Sequence, residues 1–292
     1  MDTTGRTSFR RRSPAADPAR KAGPAAQAGP LGLELTRSSY LLLSAFLLTL
    51  LLLGYVWWPL AAEYLAYIDW SRPLWNQLDW LLIGIFAAMS VLIMVGADLR
   101  TDVWILAVGT AGGLVIESWG TQTLLWSYYT AERPPLWIIP AWPIASLAID
   151  RLVRLLGRLA PEGRGGRWAR VAYWMVFPAF YSLMLAFVWP TVGRSLTVMA
   201  LLLCALLTAT PTNHRLAVLT FAAGAGLGWF LERWGTTRLC WTYYTEQAPP
   251  LFAVLAHGMA AAAFWRTSLV AQMVWRRLVG GPTAEPGAGA DG

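Results

Sequence analysis

Two glutamates, Glu117 and Glu232, are the residues of this sequence best suited to proton transfer. Each lies near the end of an otherwise apolar stretch, so a membrane-crossing helix would place its carboxyl near the outer boundary of the hydrocarbon layer. A carboxyl that is partly removed from water favours its protonated form and can then donate a proton. The alternative, a carboxylate solvated at the membrane surface or paired with Arg133, Arg233 or Arg238, stays open.

Both glutamates begin a signature that occurs twice in the chain. The segment ESWGTQTLLWSYYTAERPPL, residues 117–136, aligns without a gap with ERWGTTRLCWTYYTEQAPPL, residues 232–251. The constant offset of 115 also relates the second apolar block of the chain to the sixth, and the third to the seventh. We therefore expect a repeat unit of four helices rather than a repeated loop.

Aromatic side chains make up much of each signature. They fit either a belt at the membrane interface or a pocket whose ring faces stabilise a cation. The residues are Trp119, Trp126, Tyr128 and Tyr129 in the first copy and Trp234, Trp241, Tyr243 and Tyr244 in the second. Just beyond the copies, Trp142 is replaced at the equivalent position by His257, which could relay a proton or only pack between helices. The Gly-Thr and Pro-Pro elements predict a helix end and an ordered loop.

The elements that must position these residues are long apolar segments. With 57% hydrophobic and 13% charged residues, the chain is too apolar for a soluble domain. Its apolar blocks lie at residues 39–60, 78–97, 103–119, 136–157, 168–190, 192–211, 216–233 and 251–275. Because a backbone in lipid must satisfy its own hydrogen bonds, these blocks predict an all-α polytopic integral membrane protein with about eight transmembrane helices.

The repeat also predicts how the chain is divided. Four spans per half bring the chain back to the side where it entered, so we expect two parallel four-helix repeats with both signatures on one face. The first repeat half is expected at residues 37–160 and the second at residues 161–280. Residues 1–36 are expected to form a disordered basic cytoplasmic tail and residues 281–292 a disordered C-terminal tail.

The distribution of charge predicts the orientation. With a cytoplasmic N-terminus, 18 of the 23 Lys and Arg residues fall on cytoplasmic segments, as the positive-inside rule requires. Both termini are thus expected in the cytoplasm, with the spans in a bacterial inner membrane. Because the basic residues are dispersed, the net charge of +7 does not indicate a nucleic-acid partner. Asp79 and Arg194 are equivalent outer positions of the two halves, and we expect them to form an ion pair.

The pattern E-x-W-G-T…W-[ST]-Y-Y-T…P-P-L and the apolar span that follows it resemble polytopic carotenoid-modifying membrane proteins. These include the carotenoid 1,2-hydratases of bacterioruberin-type pathways and, with a more distant resemblance, the membrane lycopene cyclases. The resemblance implies that a protonated Glu117 or Glu232 adds a proton to a terminal isoprenoid double bond, giving a tertiary carbocation that water captures or that cyclises. It also implies that no metal or organic cofactor is needed and that four tyrosines line the pocket, namely Tyr128, Tyr129, Tyr243 and Tyr244.

Together these features predict a membrane-embedded lyase or isomerase that modifies an isoprenoid or carotenoid-like lipid. The catalytic candidates are Glu117, Glu232 and His257, and the eight signature aromatic residues are the substrate-binding candidates. The expected partners are the bilayer and its lipid substrate, while the oligomeric state stays open. Two alternatives remain: a small-molecule or lipid transporter or binding protein, since parallel repeats are typical of carriers, and a non-catalytic scaffold whose aromatic loops dock a partner.

Overall fold

The structure, a computed structural model, describes residues 35–160 and 165–279. The tails expected at 1–36 and 281–292 therefore lie outside the described residues, apart from Leu35 and Thr36. Nine α-helices form nearly all the regular structure of the described part, which confirms the all-α class. They are α1 (Arg37–Val56), α2 (Trp58–Ala66), α3 (Trp80–Met94), α4 (Leu99–Gln122), α5 (Ala141–Leu159), α6 (Gly165–Val188), α7 (Ser195–Ala209), α8 (His214–Thr237) and α9 (Leu251–Val279). Two short strands, β1 (Trp126–Tyr128) and β2 (Trp241–Tyr243), pair antiparallel.

Several of the helices are long and apolar enough to cross a membrane. By length and composition there are five such segments in the described residues: Arg37–Val56, Leu99–Gln122, Leu136–Leu159, Gly166–Thr191 and His214–Thr237. Two further apolar helices, α3 and α7, are shorter, with 15 residues each. This composition is consistent with an integral membrane protein.

Each of the eight apolar blocks overlaps one of the helices α1 and α3 to α9, while α2, which begins at the end of the first block, was not predicted. Pro59 lies in the first turn of α2, where a missing backbone N–H costs no hydrogen bond. The starts of α3, α4 and α8 are capped by Asp79, Asp98 and Asn213, whose side chains accept a backbone N–H. Polar caps therefore decide where these apolar helices begin.

The offset of 115 that relates the two signatures also relates backbone elements. Three pairs of elements begin and end 115 residues apart: α3 and α7, α4 and α8, and β1 and β2. Left-handed backbone occurs at Leu124 and Leu239 and at Ala131 and Glu246, again 115 residues apart. The loop conformation thus recurs with the sequence.

The buried apolar residues form two clusters, and each cluster draws on both halves of the chain. One contains Trp126 and Ile138 together with Phe221. The other contains Ile85 and Leu147 together with Leu227. Helices α8 and α9 approach especially closely, since a Cβ on Gly258 would lie 2.5 Å from the carbonyl oxygen of Phe221. Small residues permit such close helix contact without a hydrophobic driving force between helices.

Two ion pairs join elements that are distant in sequence. Asp102 of α4 contacts Arg151 of α5 at 2.6 Å, and their side chains are 0% and 2% exposed. The expected pair of Asp79 with Arg194 is wrong, because the Asp79 carboxylate contacts Arg238 at 3.0 Å. Arg238 directly follows the end of α8, which brings it beside the start of α3.

We expect Asp102→Ala to lower the free energy of unfolding by about 3 kcal/mol, since it leaves the buried Arg151 guanidinium with only the partly exposed Asp150 as a carboxylate partner. Thermal unfolding of the purified protein in detergent measures this loss. The control is Arg154→Ala, which removes a half-exposed partner of Asp150 and is expected to cost at most about 1 kcal/mol. Equal losses in the two variants would contradict a special role for the buried pair.

Candidate functional site

The Glu117 carboxylate is buried near the C-terminal end of α4 and is held by three hydrogen-bond donors. Oε2 accepts from Trp126 Nε1 at 3.1 Å, and Oε1 accepts from the Tyr128 hydroxyl at 2.9 Å. Oε1 also accepts from Trp142 Nε1 of α5 at 3.1 Å. No arginine contacts this carboxylate in the described part of the chain, so the alternative of an arginine pair does not apply to Glu117.

The Glu232 carboxylate, near the end of α8, has nearly the same surroundings. Oε2 accepts from Trp241 Nε1 and Oε1 accepts from the Tyr243 hydroxyl, both at 2.9 Å. His257 of α9 occupies the third position, with Nδ1 3.8 Å from Glu232 Oε1. The same Nδ1 donates to the carbonyl oxygen of Ala253 at 3.0 Å.

Each tryptophan reaches back to its glutamate because of a glycine inside the helix. A Cβ on Gly120 would lie 1.9 Å from Cη2 of Trp126, and a Cβ on Gly235 equally close to Trp241. The indole ring therefore lies directly against the helix backbone. This glycine was predicted to mark the helix end, but α4 continues to Gln122.

The reversal of the chain after α4 is made by Leu124, which adopts a left-handed conformation with φ 63°. The backbone N–H of Leu125 then donates to the carbonyl of Gly120, closing the helix in the manner of a Schellman motif. A left-handed leucine is less favourable than a glycine, so the surrounding contacts must hold it in place. This turn aims β1 back along the helix toward Glu117.

Strand pairing brings the donors of both glutamates onto one face. Trp126 is opposite Tyr243 and Tyr128 is opposite Trp241, while Ser127 and Thr242 pair between them. Because side chains alternate along a strand, the four aromatic donors share one face of the sheet. Burial raises the pKa of Tyr128 and of Tyr243 well above the usual range, so both hydroxyls stay protonated and donate.

The two carboxylates are linked by a pair of stacked rings. Trp142, which donates to Glu117, lies parallel to His257, with ring centroids 6.0 Å apart and an interplanar angle of 8°. His257 in turn lies beside Glu232. Trp142 and His257, which occupy equivalent positions of the two halves, thus form a chain of contacts from Glu117 to Glu232.

A cavity of about 520 Å³ opens onto both carboxylates. This volume lies within the range of ligand pockets, and its wall is mostly apolar. This wall includes Phe46 and Leu53 of α1, Phe86 of α3, and Phe180 and Met184 of α6. The arrangement can hold an apolar molecule with a proton source at one side.

The structure brings most of the predicted site residues together at this cavity. The following line it: Glu117, Glu232, His257, Trp119, Trp126, Tyr128, Trp234, Trp241 and Tyr243. Tyr129 and Tyr244 are not part of the wall, since their hydroxyls donate to the backbone carbonyls of Val56 and Phe187. We therefore assign these two tyrosines to anchoring the ends of α1 and α6.

Two of the lining tryptophans also join the halves. Trp119 donates to the Thr197 hydroxyl of α7 at 3.1 Å, and Trp234 donates to the Asp79 carboxylate at 2.8 Å. In each case a helix of one half is bound to the start of a helix in the other. Trp119 and Trp234 are consequently both wall residues and structural links.

Trp142 and Trp57 are site residues that were not predicted from the sequence. The offset of 115 pairs Trp142 with His257, but a tryptophan at that position did not by itself indicate a contact with Glu117. Trp57 lies between Trp137 and Trp234 and lines the cavity, although it belongs to no repeated motif. No sequence signal distinguishes it from an ordinary interfacial tryptophan.

Comparisons of the chain with protein-family models, with curated proteins and with solved structures find no match. Within the described residues, no group of three or more His, Cys, Asp or Glu side chains is arranged to hold a metal ion.

We expect Gly235→Ala to destabilise the protein by about 1–3 kcal/mol, because its new methyl group overlaps the Trp241 ring that binds Glu232. The matched control is Gly226→Ala in the same helix, where a Cβ meets nothing within 4 Å. That change should leave stability equal or raise it by up to about 1 kcal/mol. Thermal unfolding of both variants in detergent tests the difference, and equal melting temperatures would refute the indole contact.

Proposed function

We propose that this protein is a membrane-embedded enzyme that protonates a double bond of an isoprenoid or carotenoid-like lipid, leading to hydration or cyclisation. The observation that carries the proposal is the pair of buried carboxyls, Glu117 and Glu232, facing one apolar cavity with aromatic walls. An apolar cavity selects an apolar substrate, and a protonated carboxyl in its wall can supply a proton.

The proposed reaction balances without an external oxidant or reductant. A carboxyl proton adds to one carbon of the double bond, and the other carbon becomes a tertiary cation. In hydration, water bonds to the cation and returns one proton to the carboxylate, giving a tertiary alcohol. In cyclisation, a second double bond attacks the cation, and a proton lost from a neighbouring carbon returns to the carboxylate. Aromatic ring faces such as those of Trp119, Trp126 and Trp241 suit a cationic intermediate.

The same proposal includes eight spans in two parallel repeats. Because β1 pairs with β2, the two signature loops lie on the same side of a membrane, which requires an even number of crossings between them. Helices α5, α6, α7 and α8 lie between them, so α7 must cross although it has only 15 residues. The offset of 115 extends this inference to α3. Equivalent residues pair about Ser127 and Thr242, as a twofold axis along the membrane normal requires.

The orientation follows from the basic residues, with both termini in the cytoplasm of a bacterium and the signatures outside. We expect alkaline phosphatase fused after Thr130 or Thr245 to be active, and the same enzyme fused after Val279 to be inactive. If only the five segments that are both long and apolar enough crossed, the loops containing Thr130 and Thr245 would lie on opposite sides. One active and one inactive loop fusion would therefore refute the eight-span arrangement.

We expect expression in a lycopene-accumulating host to give pigments with one added water or a new ring, identified by mass spectrometry and chromatography. The double variant Glu117→Gln/Glu232→Gln should lower product formation at least about 100-fold, the range attributed to general acids. Glu132→Gln/Glu246→Gln is the matched control, since both of these glutamates are exposed loop residues.

Unchanged pigments in the host that expresses the native chain would exclude lycopene as a substrate. A flux assay in proteoliposomes would then test the alternative of a carrier. Equal activity of the native chain and of the double variant Glu117→Gln/Glu232→Gln would contradict the role of the two carboxyls.

A further inference from the structure

The two glutamates differ in one partner, and that partner decides what each carboxyl can do. All three groups that contact Glu117 donate to it, from Trp126, Tyr128 and Trp142. An indole N–H can only donate, so two of these contacts require acceptor oxygens on the carboxyl. A proton placed on Glu117 would compete with these N–H groups for the lone pairs of the carboxyl oxygens. The site around Glu117 therefore suits a carboxylate.

Glu232 has the equivalent donors Trp241 and Tyr243, but an imidazole in place of the third indole. An imidazole can donate at one nitrogen and accept at the other, and it can carry a second proton. His257 Nδ1 lies 3.0 Å from the Ala253 carbonyl and 3.8 Å from Glu232 Oε1. A ring displacement of about 1 Å would bring Nδ1 to hydrogen-bond distance of the carboxyl.

The cavity contains few other groups that could exchange a proton with this pair. The titratable side chains in its wall are Glu117, Tyr128, Cys204, Glu232, Tyr243 and His257. No Lys or Arg lines the wall among the described residues. Tyr128 and Tyr243 already donate to the carboxylates. His257 is thus the wall residue best able to reload a neighbouring carboxyl.

We propose that the two halves have specialised, so that Glu232 is the proton donor reloaded by His257, while Glu117 remains a carboxylate that stabilises positive charge. The reaction assigned to this pair rests on the proposed function, but the location of the exchangeable proton does not. In turnover, Glu232 gives its proton to the double bond and becomes a carboxylate. The proton released by the added water, or by the carbon that closes the ring, passes to His257 and from it to Glu232, which restores the starting state.

Infrared difference spectroscopy of the purified full-length protein in nanodiscs tests this location without any substrate. Comparing samples across a pH series in H₂O and D₂O reveals the carbonyl stretching band of a buried protonated carboxylic acid. We expect Glu232→Gln to abolish that band and Glu117→Gln to retain it. The exposed-residue variant Glu246→Gln should leave the band unchanged. Loss of the band in Glu117→Gln, or equal partial loss in both variants, would overturn the proposal.

Exchange of the two divergent residues gives a stricter test. His257→Trp should abolish the band, because Glu232 then has the same kind of donors as Glu117. The double variant Trp142→His/His257→Trp keeps the amino-acid composition and should move the band to Glu117, so that adding Glu117→Gln removes it. A band that stays on Glu232 in the double variant would refute the role of the imidazole. If the melting temperature shows that the double variant does not fold, the comparison of Glu117→Gln with Glu232→Gln decides which glutamate carries the band.

Failure of this inference can be told apart from failure of the proposed function. In the lycopene-accumulating host, we expect Glu232→Gln to lose product formation at least about 100-fold, and Glu117→Gln to retain a measurable fraction. Absence of any product with the native chain, together with the expected infrared result, would overturn only the substrate. Product formation with the native chain and an infrared band located on Glu117 would overturn only the specialisation.

Discussion

The structure depends on hydrogen bonding of two carboxyl groups that are buried among apolar helices. Because Glu117 and Glu232 are buried away from bulk solvent, their carboxyl oxygens need donors from the protein, since an unsatisfied buried polar group is costly. Each obtains them from an indole and a phenol two positions apart on a short strand. Gly120 allows that indole to approach the helix, and the left-handed Leu124 turns the strand back. The need to satisfy each carboxyl thus accounts for the glycine, the tryptophan and the first tyrosine that the two signatures share.

The pairing of β1 with β2 extends this requirement from one half to both. The strands are antiparallel and pair about Ser127 and Thr242. The donors of Glu117 therefore lie directly opposite the donors of Glu232. The contact of Trp119 with Thr197 and that of Trp234 with Asp79 then bind each signature to the opposite half. The cavity lies between elements that could not be assembled from one half alone.

The two signatures have equivalent backbone conformations but surround their glutamates with one different side chain. Trp142 and His257 occupy the same position of the repeat and stack on each other, yet only the imidazole can both donate and accept a proton. Each residue stands beside its own glutamate. Under the proposed specialisation, this single difference separates a charge-stabilising carboxylate from a proton-transferring carboxyl, because the indole and phenol donors of the two glutamates are the same.

By itself the sequence determined the all-α class, the positions of the apolar helices and the two glutamates with their aromatic neighbours. Hydropathy and repetition can be read from the order of residues along the chain, without knowing which segments pack together. It did not determine that Asp79 binds Arg238 rather than Arg194, that Tyr129 and Tyr244 lie outside the cavity wall, or that Trp142 contacts Glu117. These outcomes depend on side chains from distant segments meeting in three dimensions. Only the tertiary structure decided them, because hydrogen-bond partners are chosen by distance and direction after the helices have packed.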